Sequence, residues 1–95
     1  MPQKVFFMNE LQIKSFITDI ENKLDKNAQP YYRLSLQGYP APFYAFSNIL
    51  SPKTLTALKE TPEKLVGQQV LITYQELTNQ DSHGTFKKIK AIQIL

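Results

Sequence analysis

The sequence predicts an all-β domain with one short helix, its elements running β-β-β-α-β-β and its five strands closing into a barrel. Three observations predict it. Apolar and polar residues alternate through the candidate strands, the period-two signature of half-buried β-structure. The first strand shifts parity midway, as a strand does when a bulge bends it into both halves of a barrel. A helix-start signal, Ser51-Pro52, falls between the third and fourth strands, with Ser as N-cap and Pro where its missing N–H costs nothing.

Each element follows from its residues. Residues 1–9 form a lead-in whose Val5, Phe6, Phe7 and Met8 are a candidate interface; residues 10–95 form the domain. From Glu10, Leu11, Ile13, Ser15 and Ile17 share one face, and Gln12, Lys14, Phe16 and Thr18 the other. Ile17 and Ile20 cannot share a face in an unbroken strand, which places a bulge near residues 16–18. Glu21 to Gln29 reads as a polar loop, and Pro30, which cannot donate to a ladder, opens the second strand. There Tyr32, Leu34 and Leu36 alternate with Tyr31, Arg33, Ser35 and Gln37. The turn Gly38-Tyr39-Pro40-Ala41-Pro42 leads to a third strand, Phe43 to Asn48, aromatic on both faces. Leu55 and Leu58 make the apolar stripe of the helix, and Pro62 starts one more turn. Val70, Ile72 and Tyr74 alternate with Leu71, Thr73 and Gln75 in the fourth strand. A polar loop, Glu76 to Gly84, precedes the fifth, Thr85 to Leu95.

The chain has 95 residues, enough for one core and too few for two. Its aromatic fraction of 12% is too high for a disordered chain. The absence of cysteine excludes a disulfide framework, a thiolate zinc site and a cysteine nucleophile, and fits a reducing, cytoplasmic setting. No apolar run exceeds Val5 to Met8, so neither a bilayer-spanning segment nor a secretory signal core is expected.

The net charge of +3 says less than its layout. No Asp or Glu occurs from Asn27 to Lys59, a stretch holding Arg33, Lys53 and Lys59 together with Tyr31, Tyr32, Tyr39, Phe43, Tyr44 and Phe46. Ser82 to Leu95 is also free of acids and carries Lys87, Lys88 and Lys90. Cations interleaved with aromatics are the chemistry of single-stranded nucleic-acid binding; core packing of the aromatics is the competing explanation.

The element order resembles the OB-fold, a five-stranded Greek-key barrel. Within it, Gly67-Gln68-Gln69-Val70-Leu71-Ile72, a loop closing on Gly84, and Ala91-Ile92-Gln93-Ile94-Leu95 resemble bacterial single-stranded-DNA-binding proteins and the primosomal protein related to them. The resemblance implies a sequence-tolerant binder of single-stranded DNA, with RNA the alternative ligand, acting in replication, recombination or repair. It also implies a homodimer or homotetramer, replication proteins as further partners, and no cofactor. Two departures count. No acidic tail follows Leu95, so recruitment of partners through such a tail is not expected. With no Trp, Tyr and Phe must do any stacking.

Such barrels bind on the face of strands two and three. By parity this assigns Tyr31 and Arg33 from the second strand, Phe43 or Tyr44 from the third, and Tyr39 at their turn. Lys14 lies on the polar face of the first strand, and Lys87, Lys88 and Lys90 on the fifth. Lys87 and Lys88 must point to opposite faces, so only part of that group can meet one ligand. Tyr32, Phe46 and Tyr74 share parity with core aliphatics and are expected inside; Lys23 and Lys26, beside Glu21 and Asp25, read as a solvated loop. His83 reads as a turn residue, and no Gly-rich phosphate loop, HExxH or calcium-loop spacing occurs, so neither catalysis nor metal binding is expected. The competing function is an OB-fold scaffold subunit with little or no nucleic-acid binding.

Overall fold

A computed structural model describes residues 10–79 and 84–95. The lead-in with Val5 to Met8, and Asp81, Ser82 and His83 of the last turn, lie outside the described residues. The elements are β1 (Glu10–Leu24), β2 (Pro30–Leu36), β3 (Phe43–Phe46), α1 (Pro52–Glu60), α2 (Pro62–Leu65), β4 (Gln69–Asn79) and β5 (Gly84–Ile94). The strands close into a barrel in the order β1-β2-β3-β5-β4. The β3–β5 pair is parallel and the other pairs are antiparallel.

Closure depends on the bend in β1. Its first half, Glu10 to Phe16, pairs with β4, and its second half, from Ile17, pairs with β2. The register slips between Ile17 and Asp19, leaving Thr18 as the extra residue, where the parity shift in the sequence places it. Its Oγ1 donates to the Ser35 carbonyl at 3.1 Å and ties the bulge to β2.

Three strand boundaries differ from the sequence expectation. β1 continues through Glu21 to Leu24, because Glu21, Asn22 and Lys23 pair with Arg33, Tyr32 and Tyr31 in a ladder whose residues on β1 are polar. The loop that follows is short. Asp25 Oδ1 accepts from the backbone N–H of Asn27 at 2.8 Å and of Gln29 at 2.9 Å. β4 likewise runs past Gln75 to Asn79, paired with β5 as far as Gly84. β3, in contrast, stops at Phe46, where the Ile49 N–H turns back to the Phe46 carbonyl at 3.2 Å.

Inward parity fills the barrel with Ile17, Tyr32, Leu34, Phe43, Ala45, Val70, Ile72, Tyr74 and Ile89. α1 closes one end with Leu58, which is buried against this core. Its start is set as expected: Ser51 Oγ accepts from the Thr54 N–H at 3.3 Å, and Pro52 opens the helix. Gly67 then takes φ 93°, a backbone conformation that side chains with a Cβ rarely adopt. Its N–H reaches the Ile17 carbonyl at 2.7 Å, joining the exit of α2 to the bend of β1.

Candidate nucleic-acid interface

The outward residues of β2 and β3 alternate with the core residues just described. Registered partners share a side of the sheet, so Tyr31 with Phe46, and Arg33 with Tyr44, stand together on the outer face. Across the parallel pair, Tyr44 is registered with Lys88. Phe86, two residues before Lys88, shares its face.

These residues form one continuous strip of rings. Tyr31 and Tyr44 stack with centroids 6.1 Å apart, and Tyr44 and Phe46 at 6.4 Å with planes only 16° apart. Tyr31 also meets Phe46 at 5.7 Å, and Phe86 meets Tyr44 edge-on at 5.8 Å. Two cations border the strip: the Arg33 guanidinium lies 5.8 Å from the Tyr44 centroid, and Lys88 Nζ 5.8 Å from that of Phe46. All six side chains are partly exposed. Rings on a barrel exterior are available to stack on unpaired bases, and the cations beside them can neutralise phosphates.

Arg33 is only half engaged. Its Nη1 lies 3.4 Å from Glu21 Oε1, on the neighbouring β1 position, and its buried Nε has no hydrogen-bond partner among the described residues. Both side chains of the pair remain partly exposed, so the pair itself contributes only about 0–1 kcal/mol. At the end of the strip near the β1–β2 loop, an open cleft of about 550 Å³ is lined by Phe46, Phe86 and Lys88 together with loop residues.

The other expected site residues fall elsewhere. Of the pair Phe43 and Tyr44, only Tyr44 faces out. Phe43 is fully buried and packs edge-on against Tyr74 at 5.0 Å, out of reach of a base. Phe46, expected in the core, is the third ring of the outer strip, because the parity of β3 follows Phe43 and Ala45 inward. Tyr39 folds back from the turn, its ring edge-on to Phe43 at 5.7 Å. Lys87 points to the Phe43 side, with Nζ 5.7 Å from that ring, and so opposite to Lys88. Lys14 stands in the first half of β1 opposite Leu71 of β4, away from β2 and β3. Lys90 is the extra residue where the β4–β5 register slips, on the parity of Phe86 and Lys88. Phe86 is not singled out by the sequence reading, although its spacing from Lys88 in an acid-free segment is the signal that points to it.

The closed order β1-β2-β3-β5-β4, with a helix between β3 and β4, defines the class: an OB-fold barrel. Solved structures of this shape include two crystal structures of the mitochondrial single-stranded DNA binding protein Rim1 of S. cerevisiae. One superposes with a TM-score of 0.70, covering 95% of this chain and 96% of that one at 14% identity. The other, from selenomethionine-labelled protein, gives 0.68, with 95% and 97% covered at 14% identity. No protein-family model and no curated protein sequence matches the chain.

Proposed function

We propose that this protein binds single-stranded nucleic acid, DNA in the first place, across the outer face of β2, β3 and β5. One observation carries the reading: Tyr31, Tyr44, Phe46 and Phe86 form an unbroken, partly exposed strip bordered by Arg33 and Lys88. Successive bases stack on the rings at about 1–3 kcal/mol each, whichever bases they are, while the cations hold the phosphates. Binding along the strip is therefore tolerant of sequence. The likeness in fold to Rim1, described as a single-stranded DNA binding protein, supports it.

In this reading the chain is a binding module and not an enzyme. Its role is to hold transiently unpaired strands during replication, recombination or repair in the cytoplasm, where replication proteins are its partners. One strip is short, so a homodimer or homotetramer that lengthens the track belongs to the proposal. Val5, Phe6, Phe7 and Met8 are its candidate interface. Light scattering of the full chain, and of a chain lacking residues 1–8, tests that part; an unchanged mass removes the lead-in as the interface.

The deciding experiment is fluorescence anisotropy of labelled oligo-dT at 50 and 200 mM salt. Two phosphate contacts give a slope of log affinity on log salt of about −1.4, or roughly sevenfold weaker binding at the higher salt. Absence of binding at 50 mM sinks the proposal. Oligo-rU in the same assay ranks RNA against DNA.

A further inference from the structure

The cleft at the end of the ring strip differs in kind from the strip. Along β2 and β3 the exposed groups are rings and a cation, which recognise any base. The cleft adds the polar side chains of Asp25 and Asn27 from the β1–β2 loop and of Asn48 beyond β3, facing Phe46, Phe86 and Lys88. Its volume of about 550 Å³ falls within the range typical of small-molecule sites, ~300–1,000 Å³.

The loop that supplies the polar wall is held in place before any ligand arrives. Asp25 Oδ1 binds the N–H groups of Asn27 and Gln29, and the backbone of Asp25 and Gln29 closes the loop at 2.9 Å. Ala28 sits at φ 62°, in the left-handed region that a residue with a Cβ seldom occupies, and the hydrogen bonds of the loop offset that cost. The Asp25 carboxylate can only accept, and its Oδ2 takes part in neither loop bond; with the carbonyl oxygens of Asn27 and Asn48 it suits an N–H₂ donor, as Asp accepts from cytosine N4 and Asn from adenine N6.

We infer that this cleft seats one unpaired base and favours a base with an exocyclic amino group, such as adenine or cytosine, over thymine, which has none. The base lies against the Phe46 ring, its amino group donates its two N–H bonds to the Asp25 carboxylate and to the carbonyl oxygen of Asn27 or Asn48, and Lys88 takes the adjoining phosphate. Strand binding by the ring strip is the reading on which this rests. The inference adds selectivity at one nucleotide position to a track that otherwise ignores sequence.

The test compares labelled oligo-dT with oligomers in which a single dA or dC replaces one thymidine at successive positions. At one position the substitution is expected to tighten binding about tenfold, the scale of one good base-edge pair. Asp25→Asn keeps an oxygen that can hold the loop and removes the charge. Asn27→Ala and Asn48→Ala alter exposed side chains that carry no core packing. Each should reduce the preference while leaving oligo-dT affinity within about twofold. Equal affinities for all the oligomers overturn the cleft's selectivity and leave strand binding standing, whereas failure to bind any oligomer overturns both. A preference that survives all three variants places the selecting groups elsewhere and overturns the inference.

Discussion

The two faces of β2 and β3 both carry Tyr and Phe and meet opposite surroundings. Inside, Tyr32, Leu34, Phe43 and Ala45 are shut off from water; outside, Tyr31, Arg33, Tyr44 and Phe46 stay partly exposed. Phe43 and Tyr44 are neighbours in sequence, and the pleat alone sends one ring into the core and the other to solvent. An aromatic-rich strand can thus fill a core with one set of rings and leave another open to solvent. The inner rings fill the barrel, and the outer ones, half-buried, contribute less to its stability and are kept in register by it.

The sharpest way to break this contrast is to truncate both neighbours. Phe43→Ala should cost about 3–5 kcal/mol of unfolding free energy, a large share of the ~5–15 kcal/mol typical of a domain. Tyr44→Ala should cost under about 1 kcal/mol in the same urea titration. Equal losses would show that the faces are not distinct.

The next effect appears in binding. Tyr44→Ala should weaken oligo-dT binding by about 1–3 kcal/mol in the anisotropy assay, with the fold intact by circular dichroism. The lysines sharpen the contrast further. Lys88→Ala should flatten the salt dependence by about 0.7 in slope, and Lys87→Ala, which points to the Phe43 side, should leave the slope unchanged. A smaller change follows from Glu21, which in the proposed mode would compete with a phosphate for Arg33. Glu21→Gln should tighten binding about two- to threefold, the size of one exposed ion pair, as a phosphate no longer competes for the guanidinium.

The last effect belongs to the inner face alone. Burial raises the pKa of Tyr74, helped by the negative charge of Glu76 and by Tyr39. The folded state therefore holds that proton more tightly than the unfolded chain does. The associated stability is fully present below the ordinary tyrosine value of about 10 and is lost as pH rises through the higher folded value. Urea midpoints measured from pH 9 upward should fall, and Tyr74→Phe should reduce that decline.

The order of elements along the chain, the bend in β1, Ser51 as N-cap and the outward placement of Tyr31 and Arg33 are legible because each rests on a local rule of parity or capping. The two strands that run longer than expected share one cause. In the far ends of β1 and β4 the ladder continues through polar residues, so no apolar alternation marks it. The choice between Phe43 and Tyr44 was illegible for a related reason: with rings on both faces of a four-residue strand, parity carries no sign until its neighbours fix one. The cleft joins the β1–β2 loop to β3 and β5, which are distant in sequence, and no spacing rule brings them together.

The kink at Thr18 also sets how the molecule comes apart. One continuous strand serves two ladders, and Ile17 at its bend binds the segment after α2 through both its N–H and its carbonyl. Neither half of the barrel can open without unseating the strand that the other half shares. Amide protons of Ile13 and Ile20, on opposite sides of the kink, should therefore exchange with deuterium through a common opening event and not as separate local ones.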